Sequence, residues 1–308
     1  MAELGDQRKR GASFELISRC FVSFMSFSLT HLALYVVPLF FPTSSHLALL
    51  LLSVVVLFAL AGVGRCSKRF LGVRASAPSF VFFNIIFIWG VYIGVIRQVT
   101  SSLMDFIINS QFLLLVTGLF SILSKDPGYV PRESDGVPHE FAAEENSIQL
   151  QRVRYCKHCK AYVKGFDHHC PAFGNCIGQK NHVLFLILLV GFVLTEISYI
   201  SCSSQFTAEV HFLASTAALS SMLTNLAIST MLFCFLQVLW QVVFLAWHIY
   251  CVCFNIKTDE WINWKKYPEF HSVILPERGL TPNECEVRFT NPYNKGILWN
   301  VKDFLTMK

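Results

Sequence analysis

Four consecutive residues, Asp167-His168-His169-Cys170, hold the most reactive combination of side chains in this sequence. A thiol beside two imidazoles and a carboxylate is the minimum set for a nucleophilic cysteine with its own base. In that reading Cys170 is the nucleophile, in its thiolate form. His168 takes the thiol proton and Asp167 orients the imidazole. The surrounding residues 154–178 also read as metal ligands. Cys156 and Cys159 have the Cys-x2-Cys spacing that puts two thiolates on one tight turn. A tetrahedral ion needs two more donors, and His169 and Cys176 are the nearest candidates, giving a closed Cys3His structural site. A rival assignment makes Cys170 a ligand and frees Cys176, but it leaves the Asp-His pair without a role.

The rest of the chain explains where this segment works. Of its 308 residues, 54% are hydrophobic, 29 of them Phe; the mean hydropathy is +0.50. Apolar runs near the roughly 20 residues needed to cross a bilayer recur along it. The fold class is therefore an all-α polytopic membrane protein with about six transmembrane helices and a small zinc-stapled cysteine-rich domain. The spans are expected near 20–41, 46–64, 79–96, 106–123, 183–201 and 222–248. The net charge of +5 is modest and the basic residues are scattered, so nucleic acid is not a partner. The 11 cysteines are an odd number, grouped as reduced thiols rather than a disulfide framework.

Basic residues in short loops orient the spans. Arg8, Lys9 and Arg10 precede the first, and Arg65, Lys68, Arg69 and Arg74 follow the second. Both termini and the reactive segment are thus expected in the cytosol. The domain plan is a cytosolic N-terminus 1–19, helices one to four over 20–123, a cytosolic cysteine-rich domain over 124–182, helices five and six over 183–248, and a cytosolic C-terminal region over 249–308. Residues 132–151 are acidic and read as a flexible lead-in. Arg152, Arg154, Lys157, Lys160, Lys164 and Lys180 make the segment basic, which suits anionic lipid or phosphate. His182 reads as an interface histidine or a phosphate contact. Trp261, Trp264, Trp299 and Phe304 read as interface anchors. Cys251 and Cys253 read as acylation sites or idle thiols, and Glu196 receives no role.

On these residues the segment resembles the cysteine-rich domain of the DHHC-type protein S-acyltransferases (palmitoyltransferases). Three further matches follow in the family's order. Asp126-Pro127-Gly128 resembles its DPG motif, and Lys257-Thr258-Asp259-Glu260 its TTxE motif. Asn291, Pro292, Tyr293 and Gly296, then Asn300, resemble its C-terminal NPF-x-x-G motif with a later Asn. The resemblance implies a two-step reaction. Cys170 takes a fatty acyl group from acyl-CoA as a thioester and passes it to a cysteine of a membrane-associated substrate protein. It also implies Zn2+, and residence as a multi-pass protein in the endomembrane system, endoplasmic reticulum or Golgi. Homo- or hetero-oligomers are compatible with it.

The family usually binds two zinc ions; here the first ion's positions hold Tyr155 and Tyr162, and 124–155 contains no cysteine. One zinc is therefore expected, with the two tyrosines packed together. The family's Trp after DHHC-Pro is Ala172, and the first Thr of TTxE is Lys257. The alternative function is a weak or inactive zinc-stapled membrane scaffold that recruits clients or partner acyltransferases. A channel or transporter is disfavoured, because the spans lack repeated ionisable residues.

Overall fold

A computed structural model describes residues 2–42, 44–71, 75–130, 152–213, 218–274 and 286–306. The acidic stretch 132–151 lies outside the described residues. Six long helices carry the apolar runs: α1 (Ala2–Phe40), α2 (His46–Leu71), α3 (Ala77–Val91), α4 (Ser102–Ser124), α5 (His182–Leu213) and α6 (Ala218–Cys253). Five stretches are long and apolar enough to cross a bilayer: Phe14–Phe40, Ala77–Val99, Ser102–Ser124, His182–Val210 and Ser221–Cys253. In α2 the apolar stretch is shorter, His46–Gly62. The protein is thus a polytopic helical membrane protein, and α1 extends well before the predicted first span. The chain folds as two units.

One unit holds Met1–Phe120, Pro171–Gly174 and Leu188–Val242. Its helices leave large apolar side chains exposed, among them Phe106 at 71% and Leu114 at 69%. A soluble protein buries such residues; a lipid-facing helix does not. With hydrocarbon outside, helix association relies on packing and polar bonds. Between α1 and the α3 region, the Ser23 hydroxyl donates to the Ser76 carbonyl at 2.8 Å, and His31 Nε2 lies 2.8 Å from Asn84 Oδ1. Between α5 and α6, Tyr199 and Thr230 share a hydroxyl bond of 2.5 Å, and Gln241 Nε2 donates to Glu196 Oε1 at 3.1 Å. Glu196 thus has a polar partner, as a carboxyl group in a span requires.

The second unit holds Ser121–Cys170, Asn175–Ile187 and Val243–Lys308. Its cysteine-rich stretch folds as two antiparallel hairpins. Strand β1 (Val153–Cys156) pairs with β2 (Ala161–Lys164), and β3 (His168–Cys170) with β4 (Asn175–Ile177). A third hairpin joins β5 (His271–Ile274) and β6 (Glu286–Phe289); short α7 (Thr258–Asn263) precedes it and α8 (Ile297–Thr306) follows. The helical class thus includes three small hairpins. Each strand is 3–4 residues long, below what an isolated hairpin needs for stability. Only four buried residues, Cys156, Val163, Phe166 and Cys176, form the local core, and two are thiols.

The family-like motifs have local physical reasons. Asp126 Oδ1 accepts the N–H groups of Gly128 and Tyr129, both at 2.8 Å, closing the turn after α4. Gly128 has φ +107, open to glycine without a Cβ penalty. The turn then joins β2, with Lys164 N donating to Gly128 O at 2.9 Å. Hydrogen bonds from Lys180 Nζ and the Tyr129 N–H hold the Asp126 carboxyl down at about 2. Gly178 passes so close to this turn that a Cβ would lie 2.4 Å from Pro127 O and 2.6 Å from Val163 Cγ1. Gly178→Ala should therefore cost at least the roughly 1–3 kcal/mol of an overpacked site. A lowered melting temperature of the detergent-solubilised protein checks this.

Asparagine side chains close the helix ends. The last carbonyls of a helix lack internal partners. Asn175 Nδ2 donates to Ile122 O and Lys125 O, both at 2.9 Å, at the end of α4. At the end of α6, Asn300 Nδ2 donates to Cys253 O at 2.8 Å and Asn291 Nδ2 to Phe254 O at 2.7 Å. Asn291 lies just after β6 and Asn300 in the first turn of α8, and both reach the end of α6.

Candidate active site and metal centre

The hairpins converge on four donors. Cys156 ends β1, Cys159 follows in the turn, His169 is central in β3, and Cys176 faces His169 across the β3–β4 ladder. Their ligand atoms all lie within 4.8 Å of one another. His169 Nδ1 is 3.8 Å from Cys156 Sγ, 3.5 Å from Cys159 Sγ and 3.7 Å from Cys176 Sγ; the Cys159 and Cys176 sulfurs are 3.3 Å apart. A zinc tetrahedron with Zn–S of about 2.3 Å and Zn–N of about 2.0–2.1 Å has edges of about 3.6–3.8 Å. The donor set and spacing fit zinc. Cys156, Cys159, Cys170 and Cys176 are all unbridged. Tyr155 and Tyr162 are cross-strand partners in β1–β2, with ring centroids 5.2 Å apart. The expected tyrosine contact is present.

Beside this cluster, on the same short strand β3, lie His168 and Cys170. Alternation along a strand sends His169 to one face and its two neighbours to the other. His168 Nδ1 bonds Asp167 Oδ2 at 2.7 Å, and Cys170 stands two residues along on the same face of β3. Cys170 is buried, and Asp167 is fully buried. Burial lowers the His168 pKa, but the neighbouring Asp167 and Cys170 outweigh it and raise the imidazole to about 9. For Asp167, burial works upward, but His182, the bond from His168 and Lys257 together hold the carboxyl far below the usual carboxylate range.

Residues from the motif after α6 hold Asp167 in place. Thr258 N donates to Asp167 Oδ1 at 3.0 Å, and Asp259 N to the Asp167 carbonyl at 2.9 Å. Both N–H groups belong to the first turn of α7, where backbone donors lack helical partners. Glu260 anchors the same turn: its Oε2 accepts from Lys257 N at 2.9 Å and from Arg152 Nη2 at 2.7 Å. Arg152 also donates through Nε to Glu260 Oε1 at 2.8 Å and through Nη1 to Asn255 Oδ1 at 2.7 Å. Its guanidinium lies 3.8 Å from the Tyr293 ring centre. Arg154 pairs with Glu269 and covers Tyr267, 3.9 Å from that ring's centre.

Several expectations need correction. Arg152 and Arg154 are consumed by these internal pairs and do not belong to an open phosphate-binding face. His182 is buried at 2% exposure and meets Lys257 and Asp167, so it is no exposed interface histidine. Phe304 is buried against His182, with ring centroids 5.0 Å apart, and is no interface anchor. Cys251 is 1% exposed within the cluster around Ile256, Phe270 and Tyr293, which removes it from the surface thiols. Trp299 remains exposed at 60%.

One buried group is not foreseen from the sequence. Asp167, His182 and His248 place donor atoms within 4.8 Å of one another, with Lys257 next to His182. A histidine inside an apolar span was the signal available for His248, since such residues are costly in lipid.

The family described as DHHC palmitoyltransferase matches residues 137–265. Palmitoyltransferase ERF2 of Eremothecium gossypii is 31% identical over 131 residues, covering 41% of this chain and 33% of that protein. Probable protein S-acyltransferase 6 of Arabidopsis thaliana is 25% identical, covering 70% of this chain and 53% of that one. Palmitoyltransferase ZDHHC12 of Homo sapiens is 28% identical, covering 65% and 75%. The chain thus spans between a third and about half of the length of the first two relatives.

Proposed function

We propose that the chain is a protein S-acyltransferase of the DHHC palmitoyltransferase family, whose model matches residues 137–265, with Cys170 as its nucleophile. The observation that carries this is the Asp167–His168 hydrogen bond, with Cys170 two residues along on the same strand face, set directly beside a Cys3His cluster. In the first step His168 accepts the Cys170 proton and the sulfur attacks the thioester carbonyl of a fatty acyl-CoA. A new C–S bond forms, the C–S bond to CoA breaks, and the departing CoA sulfur takes the proton from His168. In the second step His168 accepts the proton of a substrate cysteine, whose sulfur attacks the acyl-Cys170 carbonyl. Cys170 leaves and regains the proton. Asp167 keeps His168 Nδ1 engaged, leaving Nε2 for the proton that moves.

Cys156, Cys159, His169 and Cys176 would hold one Zn2+, and not the two usual in the family. Tyr155 and Tyr162, paired across β1–β2, support the single ion. A bound zinc supplies cross-linking of short strands that lack a core of their own. The acyl chain would lie among the membrane helices, where each CH2 transferred from water gains about 0.8 kcal/mol. The substrates are membrane-associated proteins, and the compartment is the endoplasmic reticulum or Golgi, with both termini and Cys170 on the cytosolic face. The domain plan 1–19, 20–123, 124–182, 183–248 and 249–308 belongs to this proposal.

A pulse–chase tests both steps. Purified protein is pulsed with an alkyne-tagged palmitoyl-CoA and chased with a lipidated peptide carrying one free cysteine. The tag is expected to appear on the protein, to be released by hydroxylamine, and to move to the peptide. Peptide labelling at equal rate without the protein would reject the proposal.

A further inference from the structure

The transfer chemistry above leaves one buried cation unused. Lys257 is 6% exposed, and its Nζ lies 3.2 Å from His182 Nδ1. An ammonium has three N–H donors and no lone pair to offer. His182 Nδ1 must therefore accept, and the ring proton of the neutral imidazole lies on Nε2. That atom lies 3.9 Å from Asp167 Oδ1 and makes no hydrogen bond. Asp167 already accepts from His168 Nδ1 and Thr258 N, and a carboxylate has room for about four such bonds.

We propose that Lys257 is a positioning residue for the acyl transfer: by donating to His182 it fixes the tautomer in which Nε2–H faces Asp167, and so secures the carboxylate that orients His168. This inference rests on the acyltransferase reading. It is particular to this chain, because the resembled motif has Thr at position 257. A threonine hydroxyl both donates and accepts, so it leaves the neighbouring tautomer open; an ammonium does not. The Phe304 ring, 5.0 Å from the His182 ring and 5.9 Å from Nζ, keeps the contact away from water. The charge is held there at a cost. Burial and Arg152 push the ammonium's pKa down, and the Asp167 and Glu260 carboxylates oppose them.

The test compares the parent with Lys257→Met, Lys257→Arg and His182→Gln, and with the double variant of Lys257→Met and His182→Gln. Zinc content and melting temperature report the fold. Two rates report the site: alkylation of Cys170 by iodoacetamide, resolved by mass spectrometry, and single-turnover acylation by palmitoyl-CoA, with rate constant and amplitude measured separately. Lys257→Met is expected to lower both rate constants about 10-fold or more, the size of one charge-assisted hydrogen bond, at parental amplitude. Lys257→Arg, also a donor only, is expected to stay near the parent. The double variant should be no slower than His182→Gln, because both changes remove the same contact. Unchanged rate constants, a loss of amplitude alone, or additive effects would each overturn the inference. Should Lys257→Met fail to fold, Lys257→Thr takes its place with the same expectations. A parent whose Cys170 is alkylated yet takes no acyl group would contradict the acyltransferase reading instead, and the alkylation rates would still decide what Lys257 does.

Discussion

Cys176→Ser is expected to lose zinc almost completely, from one ion per chain to near none, and to open the cysteine-rich hairpins to protease. The physical case is the thinness of what else holds them. The two ladders are 3–4 residues long, and half of the four-residue core consists of the thiols themselves. Structural zinc contributes about 10–16 kcal/mol of apparent binding energy in zinc-finger peptides, and there it is folding energy. A serine hydroxyl neither reaches the ion as a thiolate does nor fills the sulfur's volume. Cys170→Ser is expected to keep its zinc, since Cys176 and not Cys170 stands among the clustered donors. Metal analysis of both purified variants, with limited proteolysis of residues 152–182, decides between the two ligand assignments that the sequence leaves open. Zinc retained in Cys176→Ser, or lost in Cys170→Ser, would reverse the assignment.

The second large effect is Asp167→Asn, expected to slow acylation of Cys170 by roughly 10⁴-fold, the loss seen when an orienting carboxylate of a nucleophile–His–Asp set becomes an amide. Asp167 accepts from His168 Nδ1 and Thr258 N on separate oxygens. An asparagine can put an acceptor on only one of them. If its NH2 faces His168, the ring turns to the tautomer with its proton on Nε2, which cannot take a proton from Cys170. If its NH2 faces Thr258 N, two donors collide at a site of zero exposure. Single-turnover acylation measured beside zinc content separates this from unfolding. A variant within 10-fold of the parent at full zinc content would remove Asp167 from the mechanism.

The sequence made the chemistry legible because its reacting groups are neighbours. Asp167, His168 and Cys170 span four positions, and Cys156-x2-Cys159 announces its turn. The helices were legible from composition, since an apolar run of span length leaves few alternatives. What stayed hidden was what approaches this segment from far along the chain. Thr258 reaches Asp167 across 91 residues, and Arg152 reaches Glu260 across 108. Lys157 and Arg152 look alike in a sequence, but Arg152 is spent inside the fold. His182, Lys257 and His248 look like three unrelated polar residues until they meet around one carboxylate. The hairpins were missed because their strands are too short for an alternating pattern to register.

The acyltransferase reading stands or falls on one bond, a thioester at Cys170. Purified parent and Cys170→Ser are each incubated with palmitoyl-CoA and digested, and every cysteine is mapped by mass spectrometry. The prediction is one hydroxylamine-labile palmitoyl group at Cys170 of the parent and none on the zinc-loaded variant. No adduct at Cys170 of a folded, zinc-bound parent, or equal acylation of the variant at another thiol such as Cys253, would contradict it and favour a membrane scaffold.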